Sequence, residues 1–306
     1  MLSAKHHKSL GIAFLLVILT VVGVGCSKEP TAKSADQGLK ITTTTDFYGE
    51  VARAVVGKKG TVTSIINQPN VDPHDYDPTP KTAKTVAGSQ LVIANGLGYD
   101  SWMNNLVKTN DSQAKYLKVG ENVAGKKSGD NPHVWYDPQT MPKLARKIAQ
   151  VLGKKQPKDR AYFEKNAQKY IDSLQPMQDK VAALKKVAQQ TNNKNVYVSE
   201  PVFDYSIKSM GFRVGDQEFE NAVEKGTDPS PQTISAMQNK IKQGKIAFFV
   251  YNSQVSDKTV NNFVTLAKKN QVPVLKVTET LPAKKNYQEW MTGQYDQLLK
   301  ILEQGH

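Results

Sequence analysis

Residues 157–190 read PKDRAYFEKNAQKYIDSLQPMQDKVAALKKVAQQ, a stretch of 34 residues without glycine. Apolar side chains recur along it at intervals of three and four positions: Tyr162, Phe163, Ala167, Tyr170, Ile171, Leu174, Met177, Val181 and Leu184. This spacing predicts one long amphipathic helix, with a kink near Pro176. A plain packing helix is one interpretation, and a rigid span between two domains is the other.

The regions on both sides of this helix show a different pattern, in which short β-rich runs alternate with helical ones. Strands are predicted at 39–44, 61–66 and 90–94, and again at 195–198, 245–251 and 272–277. Helices are predicted between and after them, at 47–56, 80–87, 99–107, 141–152, 203–210, 232–242, 258–270 and 287–302. Such alternation is typical of parallel sheets with helices on both faces.

The predicted fold class is therefore α/β, with two lobes joined by one long rigid helix. Each lobe contains a mainly parallel sheet covered by helices on both faces. The N-terminal lobe is expected at 39–155, the linking helix at 156–191 and the C-terminal lobe at 192–306.

The N-terminus has the features of an export signal. Lys5 and Lys8 precede an apolar run of 15 residues at 10–24, which is short for a membrane span but normal for a signal peptide. Cys26, the only cysteine, follows at once and is succeeded by a polar stretch. This arrangement resembles a bacterial lipoprotein signal, although Gly23 stands where leucine is usual. The resemblance implies a signal peptide at 1–25, lipidation of Cys26 and a tether at 26–38.

The formal charge of +13 raises the question of a nucleic-acid partner. The lysines are scattered singly and in pairs, with no run of five and no interleaved aromatic residues. Nucleic-acid binding is therefore not expected. On an exported, lipid-anchored protein, the charge fits a surface close to an anionic membrane or cell wall.

Two histidines occur in similar contexts, DPHDYDP at 72–78 and NPHVWYDP at 131–138. These are His74 and His133, and the remaining histidines lie in the leader or at the last position. Imidazole is a common ligand of transition metals, and flanking prolines restrict the loop that carries it. The two motifs predict a metal site divided between two loops, and two solvent-exposed histidines are the alternative.

Carboxylates follow the predicted strands at the positions where α/β proteins bind ligands. Glu200 and Glu279 each come two residues after a strand of the C-terminal lobe, and Asn252 follows a third strand directly. Because ligands lie beyond the carboxyl ends of parallel strands, we expect these side chains to face the histidines across a cleft. Each glutamate could instead be solvated.

Other acidic residues are interpreted differently. Four of them are expected to form turns, since Asp-Pro pairs initiate turns; these are Asp72, Asp75, Asp77 and Asp137. Asp204 is a possible further ligand that we expect to face away from the cleft. With its one cysteine in the tether, the chain offers only nitrogen and oxygen donors, which suit a borderline or hard divalent ion.

Four segments together resemble the metal-binding lipoproteins of bacterial manganese, zinc and iron ABC importers. They are DPHDYDP, NPHVWYDP, SEPVFDYSIKSMGF at 199–212 and VLKVTETLP at 274–282, in the order typical of that family. The resemblance implies one metal ion held between two lobes. It also implies delivery of that ion to a membrane permease driven by a cytoplasmic ATPase, with the binding protein acting as a monomer.

The resemblance assigns the metal ligands by position to His74, His133, Glu200 and Glu279. Many manganese-type members have Asp-Ser where this chain has Glu279-Thr280, whereas zinc-type members often have a third histidine at the position of Glu200. The histidine-rich loop of the zinc type is also missing, since residues 120–131 contain no histidine. The features are mixed, and we expect Mn²⁺ as the transported ion with Zn²⁺ as the close alternative.

Two other functions are weaker alternatives. A metal-dependent hydrolase needs an open coordination position and a general base, and the chain carries no HExxH motif. A surface adhesin would use the same fold, but no sequence feature indicates it. We therefore expect a binding protein that is not an enzyme.

Overall fold

The computed structural model describes residues 38–69, 71–109, 114–255 and 257–304. These residues form eight strands in two four-stranded parallel sheets. The strands of the first sheet, in the order β2-β1-β3-β4, are β1 Leu39–Thr45, β2 Gly60–Ile66, β3 Leu91–Ala94 and β4 Lys115–Lys118. Those of the second, in the order β6-β5-β7-β8, are β5 Asn195–Val198, β6 Arg213–Val214, β7 Phe248–Asn252 and β8 Val274–Val277. Every pairing is parallel. The expectations for the signal peptide, Cys26, most of the tether and the last residue lie outside the described residues.

Helices connect and cover the strands. In the N-terminal lobe they are α1 Asp46–Val56, α2 Pro80–Ala87, α3 Ser101–Thr109, α4 Val119–Asn122 and α5 Thr140–Lys155. The helices α6 Arg160–Ser173 and α7 Gln175–Gln190 follow in the segment between the lobes. In the C-terminal lobe they are α8 Asp204–Met210, α9 Gln217–Glu224, α10 Pro231–Lys242, α11 Lys258–Lys269 and α12 Tyr287–Gln304. None of the helices in the described part of the chain has the length and hydrophobicity needed to span a membrane.

This architecture confirms the predicted α/β class with two lobes. Several short elements were not predicted, namely β4, α4, β6 and α9. The strand β6 has only two residues, and β4 has four of which one is buried, so neither produces the apolar run by which the longer strands were recognised. The start of α2 agrees with the prediction: Thr79 and Thr82 cap it reciprocally, and Pro80 occupies its first turn.

The predicted linking helix is interrupted at one residue. Helices α6 and α7 meet at Leu174, and Pro176 lies in the first turn of α7. Since proline has no backbone N–H to continue the hydrogen bonding of α6, a new helix begins there. The interruption also divides the packing: α6 contacts α1 and α5, whereas α7 contacts α8 and α12.

One hydrophobic core extends through both lobes. The segment after His133 provides its centre, because Trp135 packs against Phe47 of the N-terminal lobe with ring centroids 5.1 Å apart. Tyr136 packs in turn against Phe203 and Trp290 of the C-terminal lobe, at 5.3 and 5.6 Å. The two sheets are thus held by a shared aromatic layer directly beneath the loops between them.

Tyr136 also ties the lobes together through its hydroxyl, which donates to the Thr278 carbonyl and lies 3.0 Å from Oε1 of Gln294. We expect Tyr136→Phe to lower the free energy of unfolding by about 1–3 kcal/mol, because the Thr278 carbonyl loses its donor at a partly buried position. Urea unfolding measures the change. Tyr162→Phe is the control, since its hydroxyl lies at a partly exposed site; an equal effect of both substitutions would contradict the interpretation.

Candidate metal centre

The predicted site residues lie at or beyond the carboxyl ends of strands, with His133 in the longer connection that follows β4 and α4. His74 lies in the loop between β2 and α2, and His133 lies immediately before a short 3-10 turn that leads to α5. Glu200 and Glu279 follow β5 and β8, and Asn252 is the last residue of β7. Because the strands of each sheet are parallel, these positions share one edge, and the edges of both sheets meet at one cleft.

His133 is fully buried and fixed in orientation by Asn131. The side-chain oxygen Oδ1 of Asn131 accepts from the backbone N–H of His133 and lies 2.9 Å from its Nδ1. The amide nitrogen of Asn131 donates to the Pro201 carbonyl at 2.6 Å, which determines which end of the amide faces the ring. A neutral imidazole therefore carries its proton on Nδ1 and directs the lone pair of Nε2 into the cleft.

His74 lies at the exposed side of the cleft, with 37% of its side chain accessible. Its loop is held by two hydrogen bonds: the backbone N–H of His74 donates to Asp72 at 2.8 Å, and Trp102 donates to the Pro73 carbonyl at 3.0 Å. The imidazole packs edge-on against the ring of Tyr99, with centroids 4.7 Å apart. An ion that approaches from solvent would therefore meet His74 before His133.

Glu279 faces both the buried histidine and a phenol. Its Oε1 lies 3.7 Å from Nε2 of His133, an ion-pair distance beyond hydrogen bonding, and accepts from the Tyr99 hydroxyl at 3.0 Å. The side chains of Glu279, His74 and Asp72 each place one donor atom within 4.8 Å of the others. Residues of both lobes therefore contribute metal-type donors to one small volume.

Glu200 is buried nearby with 8% of its surface exposed. Burial raises the pKa of Glu200 to about 7; a hydrogen bond from Asn252 acts in the opposite direction, and the charges of Glu279 and Glu224 raise the pKa further. Two buried polar atoms of the described residues at this cleft have no hydrogen-bond partner, Oε2 of Glu200 and Nε2 of His133. A bound cation would satisfy both of them.

Glu224 is a site residue that the sequence analysis missed. It is the last residue of α9, and its Oε1 lies 3.8 Å from Nε2 of His74 and 3.9 Å from Nε2 of His133. The one signal for it was weak: Phe219 and Val223 have helical spacing in a segment with no other indication of structure.

The electrostatics of the cleft reflect an excess of carboxylates. Burial alone would lower the pKa of His133, but the neighbouring Glu279, Glu224 and Glu200 raise it above the usual value. Burial would raise the pKa of Glu279, and His133, the Tyr99 hydrogen bond and His74 together lower it. The pKa of Glu224 is raised by burial and by Glu279. The cleft therefore favours the binding of a positive charge.

The other acidic residues occupy different positions. Asp72 and Asp137 accept backbone N–H groups two residues further on, as turn residues do, although Asp72 also borders the cleft. Asp75 and Asp77 are exposed. Asp204 is buried next to Lys208, with its Oδ2 3.7 Å from the lysine nitrogen, and it forms no close ion pair with either histidine in the described part of the chain.

The sequence of this chain matches a known protein family. Residues 41–301 match the model of the zinc-uptake complex component A, a periplasmic protein. The chain belongs to this family. The match extends over both lobes and includes every residue of the cleft.

Several relatives have names that specify a transported metal. The chain is 26% identical to the manganese ABC transporter substrate-binding lipoprotein PsaA of Streptococcus mitis, over 87% of this chain and 88% of that protein. It is 27% identical to the manganese-binding lipoprotein MntA of Halalkalibacterium halodurans, over 77% and 78% of the two chains. The predicted family is thus confirmed, and with it the prediction that the chain is a binding protein and not an enzyme.

Solved structures confirm the fold. A manganese-bound periplasmic metal-binding protein of Candidatus Liberibacter asiaticus superposes with a TM-score of 0.71 at 17% identity, covering 86% of this chain and 98% of that one. The binding protein FpvC of Pseudomonas aeruginosa, solved with Ni²⁺, has a TM-score of 0.69 at 19% identity, covering 88% and 98%. At these identities the likeness concerns the fold alone.

The raised pKa of Glu200 predicts that the free energy of unfolding of the metal-free protein falls as the pH rises. With a pKa of about 7 in the folded chain and 4.5 ordinarily, the folded state holds a proton that the unfolded state has released. Stability from this group is therefore present below pH 4.5 and is lost as the pH rises through 7. We expect Glu200→Gln to stabilise the metal-free protein by roughly 1–3 kcal/mol at pH 8.

Urea unfolding in the presence of a chelator at pH 5 and pH 8 measures this gain, which should be much smaller at pH 5. The control is Glu218→Gln, which removes the same charge from an exposed position. A gain of equal size at both pH values, or a loss at pH 8, would contradict the assignment of the cost to Glu200.

Proposed function

We propose that this protein captures a divalent metal ion outside the cytoplasm and delivers it to an ABC permease and its ATPase. The observation that carries the proposal is the cleft, where His74, His133, Glu224 and Glu279 face one another at ion-pair distances. The unpartnered buried atoms of His133 and Glu200 support it. The ligands inferred by resemblance, His74, His133, Glu200 and Glu279, are all in or beside this cleft.

Manganese is the proposed ion, with zinc as the close competitor. Carboxylate oxygens outnumber imidazole nitrogens in the cleft, and oxygen-rich sets favour hard ions. The relatives named for manganese support this choice, whereas the family model is named for zinc. Zinc binds most mixed nitrogen and oxygen sites more tightly than manganese does, so selectivity must come from geometry and availability.

The proposed domain organisation follows the predicted boundaries. Residues 1–25 form the signal peptide, Cys26 carries the lipid that anchors the protein to the outer face of the membrane, and 26–38 is the tether. The lobes at 39–155 and 192–306 enclose the metal, and 156–191 joins them. We propose that the protein acts as a monomer, because both halves of the site come from one chain.

Metal uptake by the producing cell tests this function. We expect a strain that lacks the gene to recover uptake of radioactive manganese when it produces the wild-type protein. With His133→Ala in its place, uptake should be at least about tenfold lower, because the buried imidazole is removed. Cys26→Ser should release the protein from the membrane and reduce uptake while leaving metal binding intact. Full uptake with His133→Ala at normal protein levels would contradict the proposal.

A further inference from the structure

Glu224 reaches the cleft from an element that none of the other site residues uses. Helix α9 starts just beyond the carboxyl end of β6 and ends at Glu224. The side chain of Glu224 keeps 22% of its surface exposed, so it is partly open to solvent at the mouth of the cleft. In the described part of the chain it is the one carboxylate in close ion-pair contact with both histidines.

The distances suit a shared ion. Metal bonds to imidazole nitrogen and carboxylate oxygen are about 2.0–2.2 Å long, so two donors on one ion lie roughly 3–4 Å apart. Oε1 of Glu224 lies 3.8 and 3.9 Å from the two Nε2 atoms, and Oε1 of Glu279 lies 3.7 Å from that of His133. Each of these three pairs therefore has the separation expected of two donors on one ion.

Glu200 differs from Glu224 in its distance from the two histidines. Its carboxylate forms no close ion pair with His74 or His133 among the described residues, although the charge of Glu224 contributes to the raised pKa of Glu200. Glu224 therefore lies closer to the two imidazoles than Glu200, which is one of the two carboxylates that the family resemblance assigns as ligands.

Helix α9 is anchored firmly enough to position this carboxylate. Phe219 is fully buried and packs edge-on against Phe263 of α11, with centroids 5.0 Å apart. Asp216, at the start of α9, accepts the backbone N–H of Val198 in β5 at 3.0 Å, which fixes the helix to the strand that leads to Glu200. Glu220, one turn before Glu224, is buried beside Asp204. Glu224 is thus held by packed structure.

We propose that Glu224 supplies a carboxylate oxygen to the bound ion and biases the site toward manganese. The proposal rests on the function proposed above and adds a donor to it. Two imidazoles with Glu200, Glu224 and Glu279 make five donors, which is more than the four of tetrahedral zinc and one fewer than the six of octahedral manganese. Its partly exposed position makes Glu224 an early contact for an incoming ion.

Matched substitutions on α9 test this proposal. Glu224→Gln keeps the size of the side chain and removes its charge, and Glu218→Gln does the same at an exposed position of the same helix. Dissociation constants for Mn²⁺ and Zn²⁺ are measured separately, by competition with a chelating dye. We expect Glu224→Gln to weaken Mn²⁺ binding by at least about tenfold and Zn²⁺ binding by clearly less, with Glu218→Gln unchanged.

The outcomes separate this proposal from the function on which it rests. If the wild-type chain binds one ion and Glu224→Gln keeps both affinities within about twofold, Glu224 is not a ligand and the inference falls while the function stands. An equal loss for both ions would overturn the selectivity role. Failure of the wild type to bind either ion stoichiometrically would overturn the proposed function together with the inference. Thermal unfolding of the metal-free variants confirms that both are folded.

Discussion

Three glutamate side chains are buried or half-buried in one cleft with a buried imidazole, and the cost of burying their charges is the constraint that the surrounding structure must meet. Burial, and to a smaller extent repulsion between the carboxylates, raises the pKa of Glu200 to about 7 and also raises that of Glu224. A divalent cation removes this cost by neutralising the charges. The charged cleft therefore lowers the stability of the metal-free fold, and a bound ion restores that stability. Because the raised pKa values keep protons on the carboxylates, the ion must displace protons when it binds.

The fold keeps these charges together through rigid supports from both lobes. Parallel strands deliver loop residues to a common edge, and the aromatic layer of Trp135, Tyr136 and Trp290 lies directly beneath. Asn131 connects the two lobes at the site itself, because its amide contacts His133 on one side and the Pro201 carbonyl on the other. With His133 fixed in this way, the exposed His74 and the partly exposed Glu224 are better placed to adjust to an incoming ion.

Much of this arrangement could be predicted from the sequence, because alternating strands and helices determine which residues share an edge. That rule nominated His74, Glu200, Asn252 and Glu279 from their positions after predicted strands, and the structure places them at one cleft; their role as ligands remains a prediction. Glu224 could not be found in this way, since β6 has two residues and produces no strand pattern. The interruption at Leu174 shows a similar limit. Periodicity indicated one helix with a kink near Pro176, whereas the structure has two helices that pack against different partners.

Elemental mass spectrometry of the protein purified from its own membrane tests the central claim most directly. The account predicts about one manganese per chain, and loss of that metal in the double variant His74→Ala/Glu200→Ala purified in parallel. Stoichiometric zinc would contradict the proposed preference for manganese while leaving the transport function in place. A wild-type protein without a bound transition metal would contradict the existence of the site.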